Sequence, residues 1–313
     1  MTGKVGIVGA GRVGAEAAFL LARTPGVREV VLVDIDAARA EAEALDIAHG
    51  AVFDGGAVIR AGGYAELRNA AVVIVAAGAS LQPGQTRLDL LAHNVGIASA
   101  IIGEVVQVAP EAVLLFVTNP VDVMPAIAVR RFSVPPGRAI GTGCALDTGR
   151  LRARLARHLG VSAQSIQADV LGEHGDSQVV HWSGAQAAGM PLALFAERVG
   201  RPLTAELRDT IATEVRTAAY GIKQGKGVSN YGIAGCVTRL ARAILLDERA
   251  AFTVSTFRDD LLGIPQTGFS LPAILGAGGA SDPMLPELGA EELAALRHSG
   301  TVLQQVIART LAP

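Results

Sequence analysis

The chain has 313 residues, 27 basic and 29 acidic side chains and a formal net charge of −2, which excludes the broad basic surface that nucleic acid or an anionic membrane would need. Half of the residues are hydrophobic, enough for two domains with cores of their own. The two cysteines, Cys144 and Cys236, stand in no CxxC or zinc-ligand spacing and the histidines do not cluster, so no disulfide framework and no metal are expected, and a reducing, cytoplasmic setting is.

In chain order, Val5–Val8 reads as a buried strand, too short for the apolar region of a signal peptide and followed at once by glycine. A helix is expected over Val13 to Arg23, a strand over Glu29–Val33 ending at Asp34, and a helix over Ala37 to Ala48. Ala71–Ala76 and Val113–Val117 are further strands. Near-continuous apolar strands alternating with helices indicate an α/β fold, a Rossmann doubly wound parallel sheet covered on both faces. After about Gly143 the pattern changes. A long helix (Asp147 to Leu159) leads to a short strand (Ile166 to Leu171) and a polar turn (Gly172 to Ser177). A second long helix (Thr204 to Gly225), a Pro/Gly-rich strand region and a terminal helix (Leu288 to Leu311) follow. Residues 1–145 are therefore expected to form a dinucleotide-binding domain and 146–313 a C-terminal α+β substrate domain. No apolar stretch reaches membrane-spanning length without charge or glycine breaks.

Gly9-Ala10-Gly11-Arg12-Val13-Gly14 spells G-x-G-x-x-G between a buried strand and a helix. In that setting Gly9 makes the tight turn, Gly11 lets a pyrophosphate approach the backbone, and Gly14 packs helix on strand. The helix N-terminus offers N–H groups to the phosphates. Asp34 lies 20 residues past Gly14 at a strand end, where its carboxylate suits a ribose 2′-OH and repels a 2′-phosphate, so NAD is the expected cofactor. Ala76 to Ala79 and Val117 to Pro120 end two further strands and are expected to line the same crevice.

His174 sits in Gly-Glu-His-Gly-Asp-Ser, on a loop leaving a strand, where an imidazole can hold a proton near neutrality. Asp147, at a helix start, is either its buried partner or a residue complementing the helix dipole. Arg150 follows three residues on, on the same helix side, and could fork a carboxylate. Arg87 stands in a Pro-Gly segment that reads as a loop or lid.

Taken together, GAGRVG, VLVDID, PGQTRLDLL, VTNPVDV, GTGCALDTGRLR, VLGEHGDS, GKGVSNYGI and ILGAGG resemble the L-lactate/L-malate dehydrogenase family over nearly the whole chain, and its bacterial L-lactate branch most. The resemblance implies an NAD-dependent oxidoreductase acting on a small 2-hydroxy acid, assembled as a tetramer or dimer. It implies His174 as proton donor and acceptor with Asp147 as partner, Arg150 as carboxylate anchor and Arg87 as the lid arginine. Asn119 would bond the substrate and Ser229 would line the pocket. Val13, Asp34, Tyr64, Gly78, Ala79, Val117 and Thr142 would contact NAD, along with the glycines and Asn119.

Two departures from the family pattern bear on substrate and regulation. Six residues before the lid arginine, lactate enzymes carry Gln and malate enzymes Arg; here that position is Leu81, with Gln82 beside it. Leu81 offers no charge for a second carboxylate, which disfavours oxaloacetate. Either Gln82 faces inward or the pocket takes bulkier 2-oxo acids, as in hydroxyisocaproate-type relatives. Arg152 matches a sugar-bisphosphate-binding position, but its histidine partner is replaced by Gln167, so weak or no activation by fructose 1,6-bisphosphate is expected.

Overall fold

In the computed structural model, which describes residues 3–53, 55–79 and 87–312 and only the backbone of Arg87 and Leu88, valine-rich runs build the central sheet. β1 (Lys4–Val8), β2 (Glu29–Val33), β3 (Val58–Ala61), β4 (Val72–Val75), β5 (Val113–Phe116) and β6 (Ala139–Gly141) pair in parallel in the order β3-β2-β1-β4-β5-β6. Helices α1 (Arg12–Ala22), α2 (Ala37–Ala51), α3 (Arg87–Val108) and α4 (Met124–Phe132) make the crossovers. β4 and β5 are apolar throughout because both faces are covered, whereas Lys4 and Glu29 begin β1 and β2 and Arg60 lies on the edge strand β3. Val72 and Ile74 enter the core under α1 and α2, while Val73 and Val75 enter the one under α3 and α4. Each such buried side chain contributes about 1.5–3 kcal/mol, against about 0.5–1.5 net for a backbone hydrogen bond, so the two apolar faces hold the sheet.

β1 lies between β2 and β4, so the strand order reverses there and a crevice opens beyond the carboxyl ends of β1 and β4. The glycine turn after β1, Asp34 and the ends of β4 and β5 meet at this end of the sheet.

The second half begins with α5 (Ala145–Leu159) and continues through five two-residue strands: β7 (Ile166–Gln167), β8 (Val170–Leu171), β9 (Val179–Val180), β10 (Gln186–Ala187) and β11 (Met190–Pro191). The single strand expected over Ile166 to Leu171 is two. β7 pairs with β10 and β8 with β9, in separate small sheets. The break falls at Ala168 and Asp169, whose carbonyls accept from Arg152 Nε (3.0 Å) and the His181 N–H (2.9 Å) instead of continuing a ladder.

Helices α6 (Leu192–Arg198), α7 (Ala205–Lys226) and α8 (Tyr231–Leu245) follow. Then a long hairpin returns to the first half. β12 (Ala250–Leu261) pairs antiparallel with β6 through Ser255 and Gly141, and β13 (Ile264–Gly276) and β14 (Gly279–Ala280) complete a sheet of nine strands among the described residues. α9 (Ala290–Leu311) closes over β13. The hairpin turns on Leu262 and Gly263, both at positive φ.

Within α3, Asp89–Val108 is long and apolar enough to cross a membrane by length and composition, though Gly96, Gly103 and Glu104 interrupt it. Here it lies against α4 and the sheet, with Val95, Ala98, Ile101, Ile102 and Val105 in the core.

Candidate active site

The turn after β1 is shaped by glycine at each position where a side chain would collide. Gly9 has φ +108°, and a Cβ there would lie 2.4 Å from the Ala77 nitrogen; one on Gly14 would lie 1.8 Å from the Gly9 carbonyl. Gly11 differs: a Cβ there would meet nothing within 4 Å among the described residues, so its backbone is open to them. Gly11 also caps α1 without a side-chain hydrogen bond, and no acid stands in the first turn, which leaves the leading N–H groups of the helix for an anion. This cradle fits a pyrophosphate.

Asp34 follows β2 at the same end of the sheet. Its carboxylate accepts the Ala10 N–H at 2.6 Å and the Asp36 N–H at 3.0 Å, tying the second strand end to the glycine turn while lone pairs remain for a ribose hydroxyl. Beside it Ile35 is fully exposed, an apolar surface at the crevice rim that the sequence reading did not single out. Tyr64 sits in a short 3-10 turn, where burial and then the charges of Glu104 and Asp34 raise its hydroxyl above the ordinary range.

The other strand ends are locked together. Thr118 Oγ donates to the Val75 and Ala77 carbonyls, and a Cβ on Gly78 would strike Thr118 at 2.5 Å. Asn94, buried in α3, accepts the Ala79 N–H at 2.8 Å and donates to the Asn119 carbonyl at 2.9 Å. Val117 is half-buried, and the buried Thr142 bonds the Phe116 carbonyl at 3.0 Å. Asn119 itself is exposed, preceding a cis bond to Pro120. The expectations for Leu81, Gln82 and the Arg87 side chain fall outside the described residues.

The charged cluster lies across from these ends. Asp147 stands in the first turn of α5, so it does face the helix dipole, and its Oδ2 also meets His174 Nδ1 at 2.5 Å. Its Oδ1 accepts from Arg150 Nη1 at 2.8 Å. Its side chain is 2% exposed, against 16% for Arg150 and 26% for His174, so the pair is buried and the imidazole reaches the surface. Burial opposes charge on His174, but the hydrogen bond and charge of Asp147 outweigh it and raise the imidazole above its ordinary 6.5. Burial likewise opposes ionisation of Asp147, yet His174 and then Arg150 carry its carboxyl below the ordinary range. The result is an ion pair with a second guanidinium contact: Asp147 fixes the imidazole through Nδ1 and leaves Nε2 for chemistry.

The loop that carries His174 is held at every residue. Gly172, at φ +87°, exchanges backbone hydrogen bonds with Ser270 of β13, and a Cβ there would lie 2.6 Å from Ser299 Oγ. Ser299 of α9, fully buried, accepts the Glu173 N–H at 2.8 Å. Asp122 accepts the His174 N–H at 2.8 Å. Sequence pattern assigns no role to Ser299 or to Asp122, although Asp122 falls within VTNPVDV. Ser229 is half-buried just before α8; a Cβ at Gly232 would lie 3.3 Å from Leu146, so this helix start abuts the turn bearing Asp147. A groove of about 410 Å³ between α1 and α2 includes none of these groups apart from the neighbouring Arg12.

Comparison with known proteins follows the two halves. Residues 3–141 match the lactate/malate dehydrogenase NAD binding domain, and residues 144–312 match the lactate/malate dehydrogenase alpha/beta C-terminal domain. The chain belongs to the lactate/malate dehydrogenase family. An L-lactate dehydrogenase of Thermus aquaticus is 48% identical over 301 residues, 96% of this chain and 97% of that one. Another, of Moorella thermoacetica, is 42% identical over 98% of this chain and 97% of its own. Among solved structures, a lactate dehydrogenase enzyme from a Medee basin deep-sea metagenome library superposes with a TM-score of 0.95 at 32% identity, covering 99% of both chains. The minor L-lactate dehydrogenase of Enterococcus mundtii gives 0.93 at 33% identity, covering 98% of both. NAD is thus the cofactor of this family member, and the glycine turn, the open face of Gly11 and Asp34 fit it.

Proposed function

We propose that the protein is an NAD-dependent L-lactate dehydrogenase, which interconverts pyruvate and L-lactate. The observation that carries this reading is the buried Asp147 carboxylate holding His174 at Nδ1 with Arg150 on its other oxygen, at the open end of an NAD-binding sheet. NAD, held by the glycine turn and Asp34, would supply the hydride chemistry at the substrate's second carbon. His174, protonated at Nε2, gives its proton to the carbonyl oxygen on reduction and takes it back on oxidation. Asp147 keeps the imidazole in the correct tautomer and favours its charged form. Arg150 spends one nitrogen on Asp147 and keeps donors in its planar fork for the substrate carboxylate. Arg87 polarises the carbonyl, and Asn119 and Ser229 complete the pocket. Gly9, Gly11, Val13, Gly14, Asp34, Tyr64, Gly78, Ala79, Val117 and Thr142 contact the dinucleotide.

Leu81 supports a second reading, a wider L-2-hydroxy acid range that includes bulkier apolar substrates. An NADH-oxidation screen across pyruvate, oxaloacetate, phenylpyruvate and 2-oxoisocaproate decides between them. Pyruvate foremost supports the first reading, 2-oxoisocaproate foremost the second, and oxaloacetate foremost contradicts both.

The site is divided between residues 1–145, which bind the nucleotide, and 146–313, which carry the acid–base group. The enzyme works in the cytoplasm as a homotetramer or dimer, in pyruvate fermentation after glycolysis. Exposed apolar side chains support assembly: Leu45 on α2, Val52 and Phe53 just beyond it, and Tyr231 on α8. Light scattering on the purified chain tests it; a monomer at micromolar concentration contradicts it.

A further inference from the structure

Asp122 lies between β5 and α4 and is 3% exposed. Its Oδ2 accepts the His174 N–H at 2.8 Å, while its Oδ1 is buried with no hydrogen-bond partner among the described residues. Ser255 Oγ, on β12, is also buried without a partner among the described residues, and its hydroxyl favours the ionised form of the Asp122 carboxyl. An asparagine would accept the same N–H and could offer Ser255 a donor, with no charge to bury. What the carboxylate adds over an amide is its negative charge. That charge lies close enough to act on the imidazole, together with Asp147 and Arg150 from α5. Facing Asp122 in turn are His174, the neighbouring Glu173 and Ser255.

We propose that Asp122 is a positioning residue for the reaction, which holds the main chain at His174 and sets a second negative charge, besides that of Asp147, against the imidazole. The other groups that hold the main chain of Gly172 and Glu173 from outside the loop, Ser270, Ser299 and Cys144, are neutral. Asp122 is the carboxylate among them, and it comes from the nucleotide-binding half. It therefore couples the strand end that bears Asn119 to the proton-carrying loop. Burial raises its carboxyl to about 6 against the pull of His174, and each of the two groups favours the charged form of the other. The role as an aid to proton transfer rests on the lactate dehydrogenase reading; the effect on His174 does not.

The test compares Asp122→Asn, which keeps the acceptor and removes the charge, with Asp122→Ala, which removes both. The His174 ring-proton NMR titration, assigned by comparison with His174→Asn, should move to lower pH by about half a unit or more in Asp122→Asn. The basic limb of pyruvate reduction should move with it, while KM for NADH stays within about twofold, since the glycine turn is untouched. Asp122→Ala should lose about a further tenfold in kcat. Ser255→Ala, which removes the hydroxyl favouring the ionised carboxyl, should move the same titration down by less, and it serves if Asp122→Asn does not fold. A His174 titration that coincides with the wild type in the folded variant overturns the proposal, whatever kcat does. Failure of the wild type to turn over any 2-oxo acid would instead sink the functional reading and leave the titration to decide on Asp122.

Discussion

The two halves of the site are built from different materials. Around the glycine turn the functional surface is main chain: N–H groups at the start of α1, an open face at Gly11, and Asp34 already bonded to the Ala10 N–H. Around His174 it is side chain, and charged: Asp147 and Arg150 form a buried pair at the imidazole, and Asp122 holds the His174 main-chain N–H. The first half works by leaving room, so its sensitive positions are those where a single methyl would collide. The second works by burying charge in balance, so its sensitive positions are those where removing one group strands another.

Substitutions that separate the halves sharpen this contrast. The largest effect is expected at His174→Asn: turnover of pyruvate falls by about 10²–10⁴ while NADH binding by fluorescence is unchanged. A parallel loss of NADH affinity would show the halves are not separable. Arg150→Lys comes next. It loses the planar fork, and KM for pyruvate should rise about ten- to a hundredfold in steady-state assays. Because Arg150 also touches Asp147, some loss of kcat should accompany it; a pure change in KM would mean that the contact with Asp147 does not matter. Asp34→Ala acts on the other half: KM for NADH should rise about tenfold and discrimination against NADPH should fall, with kcat at saturating NADH little changed. The smallest effect is expected from fructose 1,6-bisphosphate. Arg152 already donates to the Ala168 carbonyl and to Asp169, and Gln167 offers no cation, so KM for pyruvate should change by less than about threefold on its addition.

The halves also differ in how readily the sequence revealed them. β2 occupies Glu29–Val33 as its apolar run indicates, and α1, α2 and α5 lie within a few residues of their periodic patterns, because local pattern and tertiary burial agree there. The β12–β13 hairpin was read only as a Pro/Gly-rich strand region. Pro265 and Pro272 argue against a long strand, and its turn uses Leu262-Gly263 rather than Asn-Gly. His174 and Asp147 stand in distinctive polar motifs. Asp122 stands in VTNPVDV, but between Val121 and Val123 and beyond the strand end that Val117 to Pro120 mark, so nothing in the pattern assigns it a role. Ser299 and Asn94 were hidden differently. A polar residue in an amphipathic helix is ordinarily read as facing solvent, and only the packing of α9 on β13 and of α3 on the crevice turns these two inward. The specificity segment around Leu81 and Gln82 was read from sequence alone.

Proton affinity ties the central cluster to pH with a definite sign. Asp147 raises the folded-state value of His174, so the pair's contribution to stability is fully present below the ordinary 6.5 and is lost as pH rises through the raised value. The lowered carboxyl of Asp147 contributes above its ordinary 3.8, a contribution lost as pH falls through the lowered value. If His174 gives the proton as proposed, pyruvate reduction should fall over the same interval in which lactate oxidation rises. The most direct measurement is therefore the pH profile of kcat/KM for pyruvate reduction in the wild type and in Asp147→Asn. With the carboxylate gone, the basic limb should move down by about one unit or more and the plateau should fall. A limb that stays where it was in the wild type would mean that the group donating the proton is not the imidazole that Asp147 holds.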